Sequence, residues 1–134
     1  MERNTEGTTG GTTTLLIVDG ANVVGSVPNG WWRDRRGAAE RLRDRLAGYA
    51  DGGVDGVAGA PEIVLVVEGA ARGVGSIPGV RVEAAPGSGD DLIAELAREA
   101  RDRPCVVVTA DRALRSRVLA AGARVTGPRT VYGP

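Results

Sequence analysis

Residues 12–25 read TTTLLIVDGANVVG, with a strongly apolar run that ends on a single charge, Asp19. Leu15, Leu16, Ile17 and Val18 are apolar without alternation, the pattern of a strand covered on both faces, as in parallel sheets. The strand is expected from about Thr13 to Val18. Asp19 stands at its mouth, with Gly20 to let the chain turn tightly and Asn22 to reach back, and no helix start is expected immediately after it.

Along the rest of the chain the same kind of apolar run recurs with helical segments between. The loop at residues 25–30 leads into WWRDRRGAAERLRDRLAGYA, where Ala38, Ala39, Leu42, Leu46 and Tyr49 fall at three- and four-residue steps, giving an amphipathic helix. After the Gly-rich connection at residues 50–60 comes a second buried strand, EIVLVVEGA, and a short third at residues 80–84. Ser88 is placed to cap a helix from Gly89 to about Arg101, with Leu92, Ile93, Leu96 and Ala100 inward. CVVVTA (residues 105–110) is a fourth strand, residues 111–121 a further helix, and residues 124–126 a last short strand. This alternation predicts one α/β domain over residues 13–127: a three-layer sandwich with a mostly parallel sheet of four to five strands and helices on both faces. Residues 1–12 read as a flexible tail and 128–134 as a C-terminal tail.

Composition removes many chemistries. The chain has 134 residues, enough for one core and too few for two ordinary domains. Its 17 basic residues are all Arg, and formal net charge is zero. Lacking Lys and His, the sequence excludes lysine-dependent mechanisms, catalytic triads with imidazole and His-ligated zinc. Its single cysteine, Cys105, reads as a buried core residue, so no disulfide framework is expected. No apolar run approaches a membrane span, and a cytoplasmic protein without a membrane partner is the expectation.

In parallel α/β sheets, ligands bind beyond the carboxyl ends of the strands. Asp19, Glu68, Asp90, Asp91 and Asp111 all fall at that edge. Taken singly, several have a structural reading: Asp90 and Asp91 suit a helix N-terminus, Ser88 with Asp91 approximates a capping box, and Asp111 suits an N-cap. Together they would repel one another unless a cation joined them. Carboxylates without His or Cys suit Mg²⁺ or Mn²⁺, which bind through a few acids plus substrate phosphate. A divalent-metal site for phosphodiester hydrolysis follows, the metal acidifying and orienting a water. Other phosphate-handling folds fit less well. A Walker A loop and a receiver domain both require Lys, a phosphoaspartate phosphatase requires D-x-D where Asp19-Gly20-Ala21 stands, and DGANVVG is not a dinucleotide fingerprint.

The segments LLIVDGANVVG, IVLVVEGA, GSGDDLIAEL and VVVTADRALRSRV, in that order, resemble the NYN-domain, YacP-like branch of the PIN-like ribonucleases. The resemblance covers about residues 13–127. It implies a metal-dependent endoribonuclease acting on single-stranded RNA, with Asp19, Asp90 or Asp91, and Asp111 as catalytic metal ligands. Glu68 stands where related sequences often carry Asp, and Asn22 and Thr109 take supporting polar roles. The family also contains members without demonstrated nuclease activity, so a non-catalytic RNA- or ribosome-associated module of the same fold stays open, as does a nucleotide phosphohydrolase.

Substrate contacts would then come from Arg. Arg33, Arg36 and Arg112, at helix starts on the strand-end side, are the candidates for RNA phosphates, while the middle of the first long helix reads as a solvated face. At least one of Trp31 and Trp32 is expected to pack at the start of that helix. Zero net charge leaves room for a partner such as the ribosome to supply affinity. The sequence leaves monomer and homodimer open.

Overall fold

The computed structural model describes residues 13–132, so the expected tail at residues 1–12 lies outside the described residues. Five strands, β1 (Leu15–Asp19), β2 (Glu62–Val67), β3 (Val80–Ala84), β4 (Cys105–Val108) and β5 (Arg124–Thr126), form one sheet in the order β3-β2-β1-β4-β5. All four pairings are parallel, with Leu15 opposite both Glu62 and Cys105. The expected α/β sandwich is therefore present.

Successive residues of β1 serve different layers. Leu16 and Val18 join Ile63, Leu65, Val67, Leu42 and Leu46 in one apolar cluster, under α1 (Gly20–Gly25) and α2 (Arg35–Gly52). Leu15 and Ile17 join Val64, Val66, Ile93, Leu114 and Val118 in the other, under α3 (Gly89–Glu99) and α4 (Arg112–Ala120). Burial on both faces explains why β1 lacks polar alternation. Leu16, Ile17, Leu42 and Ile93 have no exposed surface, each stabilising the fold by about 1.5–3 kcal/mol relative to exposure. Cys105 is buried in this core, and burial pushes its thiol pKa up.

Helix starts follow their capping side chains. Asp34 accepts from the Gly37 amide at 2.9 Å to open α2, Ser88 from the Asp90 amide at 3.1 Å to open α3, and Asp111 from the Leu114 amide at 2.9 Å to open α4. The Ser88–Asp91 capping box is not what forms, since Ser88 turns to the nearer amide of Asp90 and Asp91 pairs with Arg117.

Other boundaries differ. β1 runs from Leu15 to Asp19, two residues later at its start than expected, and Glu68 follows β2 instead of ending it. A short helix, α1, begins directly after Asp19, where none was expected. Six residues are too few for a hydrophobic period to show, and Asn22-Val23-Val24 has poor helix propensity; tertiary packing of Val23 and Val24 holds the helix in place. The segment expected as one helix from Trp31 breaks into a 3₁₀ turn (Trp31–Arg33) and α2, because Asp34 leaves helical geometry to act as cap. In the segment read as a C-terminal tail, Arg129–Tyr132 forms a helical turn, α5, and Val131 is buried in the first cluster. No helix among the described residues is long and apolar enough to cross a membrane.

Candidate acidic site at the sheet edge

Strand order reverses between β1 and β4, because the chain proceeds from β1 to β2 and β3 on one side and to β4 and β5 on the other. A crevice beyond the carboxyl ends is expected at such a switch point. Asp19 ends β1 on one side of it, and Thr109 follows β4 on the other.

Asp19 is only 4% exposed. Its Oδ2 accepts from the Thr109 hydroxyl at 2.8 Å and its Oδ1 from the Asn22 amide at 3.3 Å, so it also caps α1. Asp19 is therefore a helix cap as well as a strand-end acid, contrary to the expectation that no helix starts after it. Burial pushes the Asp19 pKa up to about 6; the Thr109 and Asn22 hydrogen bonds oppose this, and the negative charges of Asp90 and Glu68 add to it. Burial also raises the Asp90 pKa, reinforced by Asp111, Glu68 and Asp91 and opposed by Arg117. Asp19, Glu68, Asp90 and Asp111 therefore act on one another as like charges at one edge, although they come from four separate stretches of chain.

Asp91 differs from its neighbour. It is exposed, and its Oδ1 accepts from Arg117 at 3.0 Å across the α3–α4 surface. Glu68 accepts from the Gly89 amide at 2.9 Å, tying the end of β2 to the start of α3. Asn22 works through two different groups. Its amide donates to Asp19, while its side-chain oxygen accepts from the Ala110 amide at 2.8 Å, holding the loop that carries Asp111. Thr109 similarly accepts from the Asp111 amide at 3.1 Å while donating to Asp19.

Two glycines set spacings that the sequence reading did not assign. A Cβ on Gly20 would stand 2.5 Å from the Val66 carbonyl oxygen, so Gly20 is needed for close approach of α1 to β2 rather than for a tight turn. A Cβ on Gly89 would collide with Glu68 Oε1. The only sequence signal for either was glycine at the first position of a helix.

The three candidate RNA-contacting arginines are exposed and dispersed. Arg33 lies 5.7 Å from the Trp32 ring centroid. Arg36 pairs with Glu40 at 3.7 Å and donates to the Gly73 carbonyl. Arg112 opens α4 beside Asp111. Trp31 packs against the first core cluster, as expected for one of the pair, whereas Trp32 is exposed.

Among the described residues, no three acidic, histidine or cysteine side chains converge on a point where a metal ion would sit. The acids share an edge and a field, not a closed cage. That arrangement still fits Mg²⁺ or Mn²⁺ by donor chemistry: all donors are carboxylate oxygens, and Mg²⁺ keeps several waters while taking one or two carboxylates.

No family model matches the chain, and no curated protein matches it in sequence. Among solved structures, that of Rae1 (YacP) from Bacillus subtilis is similar, with a TM-score of 0.64 and 20% identity over 87% of this chain and 70% of that one. The likeness is one of fold: this chain shares the fold of that YacP protein.

Proposed function

We propose that the protein is a divalent-metal-dependent endoribonuclease acting on single-stranded RNA. The observation that supports this best is the convergence of Asp19, Glu68, Asp90 and Asp111 at the switch point of the sheet, where their negative charges add to the burial that raises the Asp19 and Asp90 pKa values. Asp19, Asp90 and Asp111 would hold Mg²⁺ or Mn²⁺ through one or two direct carboxylates and the ion's retained waters, with Glu68 alongside; Asp91, paired with Arg117, stands outside the set. Such an ion supplies charge neutralisation at a phosphoryl group and a more acidic water.

The chain's own residues supply positioning. Thr109 and the Asn22 amide hold the Asp19 carboxylate in one orientation and favour its ionised form. Asn22 and Thr109 together fix the Ala110–Asp111 backbone. Arg112, next in sequence to Asp111, is the arginine proposed to meet RNA phosphate. The resemblance of the four sequence motifs to NYN-domain nucleases and the YacP-like fold support RNA as the substrate, with the ribosome as a candidate partner.

The test is cleavage of a labelled single-stranded RNA with Mn²⁺ or Mg²⁺, compared with single-stranded DNA and free nucleotides. Cleavage of RNA that stops on adding EDTA and in Asp19→Asn is the expected result. Hydrolysis of nucleotides alone would favour a phosphohydrolase, and RNA binding without cleavage a non-catalytic module.

A further inference from the structure

Beside the acidic edge lies a partly enclosed cavity of about 90 Å³. Gly20 and Ala21, in the first turn of the helix that Asp19 caps, form one side. Val24, Val67 and Ala39 contribute apolar surface, and Trp31, Arg35 and Glu68 are among the other lining residues. Glu68 therefore belongs at once to this cavity and to the set of mutually repelling acids.

We infer that this open-sided cavity receives the edge of one nucleobase of the RNA, the rest of the ring lying against the Trp31–Arg35 side, adjacent to the phosphate at the acidic edge, and that guanine suits it best; the inference rests on the ribonuclease reading above. Single-stranded RNA is recognised by bases splayed into apolar slots, in contact with aromatic rings or guanidinium planes and hydrogen-bonded at their edges. The lining supplies each component. The Arg35 guanidinium carbon lies 5.4 Å from the Trp31 ring centroid, so cation and ring form one continuous wall. Arg35 makes no ion pair or hydrogen bond among the described residues, leaving its donors for a ligand. Glu68 spends Oε1 on the Gly89 amide, and its other oxygen accepts no hydrogen bond among the described residues. A simple packing fault at the α1–α2 junction would be lined by apolar groups alone, whereas this cavity gathers an acceptor and a donor of opposite charge. Guanine presents N–H donors and the O6 and N7 acceptors, so it satisfies both groups, and Arg paired with O6 and N7 is a recurrent guanine contact.

The experiment is fluorescence titration in EDTA, in a Trp32→Phe background that leaves Trp31 as the sole tryptophan. The probes are short oligouridylates with one central G, A, C or U. Saturable quenching is expected, tightest for the G-containing oligomer. Ala21→Leu, which fills the cavity from the helix side, and Arg35→Gln should each weaken binding about tenfold. Absence of quenching, or equal affinity for the four oligomers together with parental affinity in both variants, would overturn the inference. A thermal melt checks Ala21→Leu, and if that variant does not fold, the exposed Arg35→Gln decides. Cleavage assays with Mn²⁺ keep the two readings apart. Variant-sensitive, base-dependent quenching without any cleavage leaves the base site standing and removes the nuclease reading. Cleavage with unchanged KM and base preference in Ala21→Leu does the reverse.

Discussion

The Thr109 hydroxyl donates to Asp19 Oδ2 at 2.8 Å across the gap between β4 and β1, joining residues 90 apart in sequence at the point where strand order reverses. The same hydroxyl oxygen accepts from the Asp111 amide, so one threonine orients an acid on each side of the crevice. Valine, nearly isosteric, would leave a buried carboxylate oxygen and a half-buried amide unpaired. Thr109→Val is expected to cost about 1–3 kcal/mol in urea denaturation and to raise the Asp19 pKa further, while Thr109→Ser should restore most of both.

Asp19 ionises at about 6 in the folded chain against an ordinary value of 3.8. Between those values the folded state binds more protons than the unfolded state, so this group's contribution makes stability fall as pH rises through the window. Above it the ionised group destabilises the fold by up to about 3 kcal/mol, and below pH 3.8 the effect is absent. Asp19→Asn should therefore melt at a higher temperature than the parent near neutral pH, with the gain vanishing in acid, even as cleavage is lost. A parent and variant that melt alike at both pH values would contradict the buried-charge account.

Asp90 and Asp91 are adjacent in sequence but unequal in setting. Isothermal titration with Mn²⁺ should show Asp90→Asn and Asp111→Asn weakening binding about tenfold or more, with Asp91→Asn close to the parent. Loss of the exposed Arg117–Asp91 pair should cost no more than about 1 kcal/mol in stability. Equal loss of Mn²⁺ affinity in all three variants would place Asp91 among the ligands.

Gly20 sits against the Val66 carbonyl with no room for a methyl group. Gly20→Ala is expected to destabilise by about 1–3 kcal/mol in urea denaturation, since backbone must shift to relieve the contact. Gly48→Ala, in α2 with open space around it, should instead be neutral or slightly stabilising.

Sequence alone determined the layers. Continuous apolar runs at residues 15–18, 62–67 and 105–108, with periodic Ala38, Ala39, Leu42 and Leu46 between them, specify buried parallel strands covered by helices because period and length are local properties of the chain. It also brought the acids to one edge, since every strand of a parallel sheet ends there. Tertiary structure decided the rest. The helix after Asp19 is too short to show a period and is held by packing of Val23 and Val24. The separation of Asp90 from Asp91 depends on where Arg117 of α4 falls, and the need for glycine at 20 on how near β2 passes. The cavity joining Trp31, Arg35 and Glu68 exists only because α1, the start of α2 and the end of β2 meet there. Each of these is a contact between residues distant in sequence, which periodicity and spacing do not encode.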